Sequence, residues 1–204
     1  MARQGRNAGN GYEITAREQV EALASPLRQE LVDTLEQHGP LTIQALGTWL
    51  ERAPDGLYYH VRRLVALGLL REVDAVPSGG REAQRYDVAG RPMRILHRPG
   101  DAAHVAAVKR TVATLLRVSA RDAHKALDAG IARLDRSAPD FFGMRSRARL
   151  DAASLARVRE LLAELSRIAH AGQNRRRGRV FSLTFLLTPL VPPRQRAQPN
   201  EEST

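Results

Sequence analysis

Two short stretches of this sequence hold groups suited to gripping a polyanion. The first runs Asp55-Gly56-Leu57-Tyr58-Tyr59-His60-Val61-Arg62-Arg63-Leu64. Leu57, Val61, Leu64 and Val65 recur at helical spacing and form one buried stripe. Asp55, Gly56, Tyr58, Tyr59, Arg62 and Arg63 are left pointing outward or flanking it. A guanidinium on such a face can fork onto a guanine edge or a phosphate. A tyrosine can hydrogen-bond a phosphate or pack on a thymine methyl. The other use for the tyrosines is packing against an adjacent element, and His60 reads as a structural hydrogen-bonding residue. The second stretch is Gly79-Gly80-Arg81. Two glycines permit a tight tip, and Arg81 beside them can enter a narrow minor groove or stand as a solvated loop charge. Thr42 and Gln44 open the preceding helix, where a helix N-terminus can meet a phosphate.

Other chemistries find less support. There is no cysteine, which excludes disulfides, thiolate metal sites and a cysteine nucleophile. Asp122-Ala123-His124 is similar to the start of a known zinc pattern, but the completing position is Asp135 and no histidine follows nearby. The set is incomplete, so no metal and no cofactor are expected. His104 and His170 are single histidines on helices and read as structural. No phosphate-binding glycine loop and no local Ser-His-Asp motif is present. No catalytic residues are assigned, and the chain is not expected to be an enzyme.

The elements that must position these residues follow from the apolar pattern. Val20, Leu23 and Ala24 make a short helical face. Ser25-Pro26 starts a second helix, with Ser25 as N-cap, a stripe of Leu27, Leu31, Val32 and Leu35, and a stop at Gly39-Pro40. Thr42 caps a third helix with Ile43, Leu46 and Leu50 inward, in which Gly47 costs about 1 kcal/mol relative to Ala. After a break at Glu51 to Ala53, Pro54 and Asp55 begin the fourth helix, and Gly68 ends it. Leu69 to Val76 and Arg81 to Val88 read as a hairpin turning at Pro77-Ser78-Gly79-Gly80, and Met93 to Leu96 as one more short strand.

Beyond Arg98-Pro99-Gly100, Asp101 caps a long helix to Gly130, with Val105, Val108, Val112 and Leu115 at heptad-like spacing. Met144, Ser146, Ala148 and Leu150 alternate with Arg145, Arg147 and Arg149 at the strand period of two. Asp151 caps another helix striped by Leu155, Val158, Leu162, Leu165 and Ala169. Phe181, Leu183, Phe185 and Leu187 alternate as a last strand. The expected organisation is a disordered arm at 1–13, a DNA-binding domain at 14–98, a dimerisation and candidate effector domain at 99–190, and a disordered tail at 191–204.

The 204 residues carry a formal net charge of +10, a balance that favours a polyanionic partner. The excess is uneven. Residues 1–99 hold 13 Arg and Lys against 12 Asp and Glu, whereas residues 100–204 hold 19 against 10. Arg outnumbers Lys 30 to 2, so an Arg-rich coding bias accounts for part of it. The N-terminus has no apolar run of signal-peptide type, and the longest apolar stretch, near Val180 to Val191, is too short to span a bilayer. A cytoplasmic, membrane-free protein is the expectation.

Helix, helix, short break, helix and hairpin is the order of a winged helix-turn-helix. Ala24-Ser25-Pro26-Leu27-Arg28 resembles the opening segment of the ArsR family of bacterial repressors. Tyr58-Tyr59-His60-Val61-Arg62-Arg63-Leu64, followed by Leu67-Gly68-Leu69-Leu70, resembles that family's recognition helix and its exit. The resemblance covers about residues 15–90. It departs at Glu51-Arg52-Ala53, where the family often has a Gly and a Ser. The cysteine pair of its metal sensors is absent. The expected fold is mainly α with small β: an N-terminal winged helix-turn-helix, then a helix–strand–helix–strand extension. The function the resemblance implies is that of a sequence-specific regulator on double-stranded DNA. It would be a dimeric repressor of the ArsR-like type that does not sense metal through cysteines, with room for an unidentified effector. The alternative is a winged-helix module for protein or RNA contact with a basic C-terminal half.

Overall fold

A computed structural model describes residues 11–78, 81–96, 98, 100–135, 139–172 and 177–191. Among these the chain is mixed α and β, with six helices and two small sheets. Helices dominate, as the Leu-, Val- and Ala-rich composition requires.

The chain opens with a strand, β1 (Tyr12–Ile14), and a helix, α1 (Arg17–Leu23). The disordered arm expected at 1–13 is therefore corrected at Tyr12 and Glu13. They pair in parallel with Met93 and Arg94 of β5 (Met93–Ile95), and Ile14 closes the ladder on Ile95. Residues 1–10 lie outside the described residues. α2 (Pro26–His38) begins at Pro26, whose missing N–H costs nothing at a helix start. The Ser25 hydroxyl makes no capping bond, contrary to expectation; only its carbonyl engages the helix, accepting from the Gln29 N–H at 3.0 Å.

β2 (Leu41–Thr42) leads into α3 (Ile43–Leu50), and a turn leads into α4 (Asp55–Ala66). β3 (Leu70–Ser78) and β4 (Arg81–Val88) form an antiparallel hairpin, with β2 on the far side of β4. The ladder reaches two residues beyond the expected strand end, pairing Pro77 with Glu82 and Ser78 with Arg81. Pro77 is tolerated because β3 is an edge strand. Gly79 and Gly80, the expected tip, lie outside the described residues.

One core holds these elements together. Leu31 and Leu35 of α2, Leu46 of α3, Leu57, Val61 and Leu64 of α4, and Leu69, Leu70 and Val88 are all fully or nearly fully buried. α5 (Ala102–Asp128) closes it from the other side, capped by Asp101, whose carboxylate accepts from the His104 N–H at 2.9 Å. Its buried line is His104, Ala107, Thr111, Thr114 and Val118. The apolar line Val105, Val108, Val112 and Leu115 is rotated by one residue and is only half-buried. The line that docks is partly polar because it meets helix carbonyls: Thr111 Oγ1 donates to Val20 O at 2.9 Å and Thr114 Oγ1 to Ala24 O at 2.8 Å. Ala107 belongs to the main core. The first half of α5 therefore continues the N-terminal body rather than starting apart from it at residue 99.

α6 (Ala152–Gly172) is capped as expected, Asp151 accepting from the Ser154 N–H at 2.7 Å. The extension nevertheless departs from helix–strand–helix–strand. Residues 144–150 and 181–187, expected as strands, form no ladder. Their alternation is real, but a strand needs a neighbour, and α5 cannot supply ladder hydrogen bonds. The expected tail begins at Val191, which has no regular structure; residues 192–204 lie outside the described residues.

Candidate nucleic-acid interface

α4 carries the candidate face, and its own amphipathicity sets the orientation. Leu57, Val61 and Leu64 are at most 1% exposed, which fixes the helix rotation. Asp55, Gly56, Tyr58, Tyr59, Arg62 and Arg63 are consequently exposed. Tyr59 is 69% exposed and Tyr58 38%. Between residues 11 and 100 the only other large apolar or aromatic side chains standing exposed among the described residues are Trp49 and Leu96. Trp49 lies on α3, stacked on His38 with ring centroids 3.9 Å apart.

The start of α4 is positioned by a turn whose geometry the sequence left open. Glu51 adopts the left-handed conformation, with φ 54° and ψ 45°, and ends α3. The Arg52 N–H returns to Gly47 O at 2.9 Å. That return brings the Arg52 carbonyl close to Gly47, where a Cβ would lie 2.8 Å from it and 3.2 Å from Pro54 Cγ. Gly47 is thus needed for the close approach of the turn, and its low helix propensity is incidental. Gly68, at φ +69°, ends α4, and the Leu69 N–H reaches back to Leu64 O at 2.9 Å.

Two flanks of α4 are distinguishable by their neighbours. Tyr58 and Arg62 lie on the sheet side. Burial raises the Tyr86 hydroxyl above its ordinary pKa, with Glu72 and Tyr58 adding to the rise and Arg62 opposing it. Tyr59 and Arg63 lie toward α2. Burial lowers the Arg28 guanidinium, Tyr59 raises it and Arg63 lowers it. Arg28 itself is held by donating from Nε to Ala22 O at 2.6 Å. It is a cation of this surface that the α4 pattern could not reveal, because another helix supplies it. Arg62, Arg63 and Arg28 form no ion pair among the described residues. In contrast, Arg71 and Arg91 are both paired to the buried Asp87, Arg110 to Glu21 and Arg121 to Glu30.

The remaining predicted residues fare unequally. The Thr42 hydroxyl caps α3, accepting from the Ala45 N–H at 3.2 Å, and is committed there. Gln44 is exposed on the first turn of the same helix. Arg81 starts β4, opposite Ser78. His60 does not behave as the expected hydrogen-bonding residue at Nδ1, which is buried and has no partner among the described residues. Burial, then the positive charges of Arg28 and Arg52, hold its imidazole below the ordinary value.

The base of the hairpin is locked by a carboxylate. Asp87, 3% exposed, accepts from Arg71 Nη2 at 3.2 Å, from Arg91 Nη1 at 3.2 Å and from the Val88 N–H at 2.9 Å. Arg91 also donates to the last carbonyls of α2, at Leu35 and Glu36. One acidic side chain therefore ties the sheet to α2.

Of the other histidines, His104 Nε2 lies 3.0 Å from Leu96 O and His170 Nδ1 lies near Ser166 O, whereas His124 is exposed. Among the described residues no three His, Asp or Glu side chains converge as a metal site would need, and no helix is long and apolar enough to cross a membrane.

No protein-family model matches the chain, and no curated protein does. Among solved structures, the crystal structure of Rv1404 from Mycobacterium tuberculosis is 17% identical. It covers 78% of this chain and 86% of its own, with a TM-score of 0.27.

Proposed function

We propose that this chain is a sequence-specific double-stranded-DNA-binding transcriptional regulator. In this reading α2, β2, α3, α4 and the β3–β4 hairpin form a winged helix-turn-helix of the ArsR-like type, and α4 is its recognition helix. The observation that carries the reading is the outer face of α4. Tyr58, Tyr59, Arg62 and Arg63 stand exposed on a helix whose Leu57, Val61 and Leu64 are buried and whose Val65, expected in the same stripe, is only half-buried, and the two arginines form no ion pair among the described residues.

A helix presented this way fits the major groove, about 12 Å wide. Arg62 and Tyr58 read base edges, Arg63 and Arg28 hold phosphate, and the hairpin carries Arg81 toward the adjacent groove. The chain acts as a homodimer, so two recognition helices meet half-sites one helical turn apart. The regulator works in the cytoplasm and represses by occluding a promoter.

Selection of bound duplexes from a random DNA library tests this. The expected result is a near-palindromic consensus. An unenriched library would overturn the reading and favour the alternative, a winged-helix module gripping RNA or acidic protein surfaces. That alternative draws on the excess of 19 basic over 10 acidic residues in 100–204, and it predicts binding indifferent to sequence.

A further inference from the structure

Of the 22 large apolar and aromatic side chains that stand exposed among the described residues, sixteen lie between 131 and 191. α6 has no buried residue. Leu155, Val158, Leu162 and Ala169 are half-buried, as their stripe requires, but Leu165 is not among them. It joins Leu161 and Ile168 in a second line, spaced i, i+4, i+7 and 43–63% exposed. The two segments of alternating sequence are equally uncovered. Among the described residues, 141–150 and 180–191 make no backbone–backbone hydrogen bond.

Both segments are nevertheless anchored. Asp140 accepts from Arg179 Nη1 at 2.6 Å and pairs with Arg133 at 3.4 Å, which joins their bases. Ser119 Oγ and Thr184 Oγ1, 2.6 Å apart, hold the second segment against α5. On either side of Thr184, Leu183 and Phe185 are 55% and 43% exposed, and Leu186 and Leu187 beyond them are 54% and 45% exposed.

Three observations say what covers this surface. First, its size. At roughly 80 Å² of exposed area for each such side chain, sixteen of them expose on the order of 1,000 Å². Summed over the described residues of this stretch, that area is comparable with the roughly 800 Å² per partner of a stable interface. Second, its charge. Two copies of a chain at +10 repel, yet residues 180–191 contain no charged residue, so like can face like. Third, its backbone. A β-alternating segment with unpaired N–H and C=O groups is a template for another strand. Antiparallel pairing of one segment with its own copy about a two-fold axis satisfies both at once.

We propose that residues 139–172 and 177–191 form an arm shared between two copies of this chain. The 180–190 segments pair antiparallel across the two-fold axis, and the Leu161, Leu165 and Ile168 line of α6 packs on the partner. This deepens the homodimer of the preceding section and rests on it.

The absence of native cysteine makes the test direct. Single variants Phe181→Cys, Leu183→Cys, Phe185→Cys and Leu187→Cys of the full chain are treated with copper–phenanthroline, with Glu82→Cys on the hairpin as control. Wild-type mass is measured in parallel by sedimentation. The wild type is expected at twice 22.6 kDa, at least one arm variant cross-links, and the control does not. Leu183→Glu combined with Phe185→Glu should raise the dimer dissociation constant at least 100-fold with the helical signal unchanged. A dimeric wild type with no arm cross-link and an undiminished dimer in the Glu variant would overturn the arm while leaving the homodimer standing. A wild type at 22.6 kDa at tens of micromolar would overturn both.

Discussion

Replacing Gly47 with alanine separates two accounts of the α3–α4 turn. Helix propensity alone says that Gly47→Ala should stabilise the protein, because alanine is favoured over glycine by about 0.8–1.0 kcal/mol inside a helix. The packing says the opposite. A Cβ at this position would stand 2.8 Å from the Arg52 carbonyl oxygen and 3.2 Å from Pro54 Cγ. The first is backbone and the second a ring in the next turn, so neither can swing aside as a surface side chain would. Overpacking of this kind costs about 1–3 kcal/mol, enough to exceed the propensity gain at most of its range. A net loss of up to about 2 kcal/mol is expected, or a melting temperature lower by up to roughly 8 °C for a chain of this size. The natural control is Gly56→Ala on α4, where a Cβ meets nothing within 4 Å and stability should rise by up to about 1 kcal/mol. Urea unfolding followed by the fluorescence of Trp49, the single tryptophan, reads both. If Gly47→Ala melts higher than wild type, by as much as Gly56→Ala does, the close approach of the turn is not what fixes glycine there.

Further expectations rest on other particulars. Glu51→Gly should gain up to about 1 kcal/mol, because it relieves a left-handed residue and forfeits only a 3.9 Å surface pair with Lys125; a loss seen by urea titration would count against the assigned backbone conformation. Asp87→Ala should cost about 3–5 kcal/mol, since it strands Arg91 and unties the sheet from α2; a change under 1 kcal/mol would contradict the lock. His60 is held below its ordinary pKa, so the folded state binds its proton less well than the unfolded state. Its contribution is present above pH 6.5 and is lost as pH falls below that value. The wild type should therefore lose more stability than His60→Gln between pH 7.5 and 5.5, and parallel melting curves would refute this. Leu64→Ala, truncating a fully buried side chain, should cost about 2–5 kcal/mol; its melting curve checks this, and a loss below 1 kcal/mol would misplace the inner face of α4.

The helices of the N-terminal body were legible because the signals are local. Pro26, Gly39, Thr42, Gly68 and Asp101 each mark a helix end through one residue's backbone or side-chain chemistry. The exposed face of α4 followed from Leu57, Val61 and Leu64 by geometry alone. What escaped the sequence depends on distant partners. Arg28 reaches the α4 surface from another helix. The buried line of α5 is polar, because Thr111 and Thr114 meet carbonyls of residues some 90 positions earlier, so hydrophobicity chose the neighbouring line. Gly47 looked like a weakness until the returning Arg52 carbonyl stood against it. Phe181 to Leu187 reads as a strand from its alternation, but alternation cannot say where the other strand of the ladder comes from.

Under the proposed function, the outer face of α4 reads DNA sequence. Affinity for the duplex selected from a random library, set against a scrambled duplex of equal length at two salt concentrations, tests it most directly for wild type and Arg62→Ala. The wild type should prefer the selected duplex by at least about 10³-fold. Arg62→Ala should lose about 1–3 kcal/mol on that duplex and relax the preference at one position per half-site, while binding to the scrambled duplex changes little. Equal wild-type affinity for the two duplexes, or a folded Arg62→Ala protein that binds and discriminates as the wild type does, would contradict it.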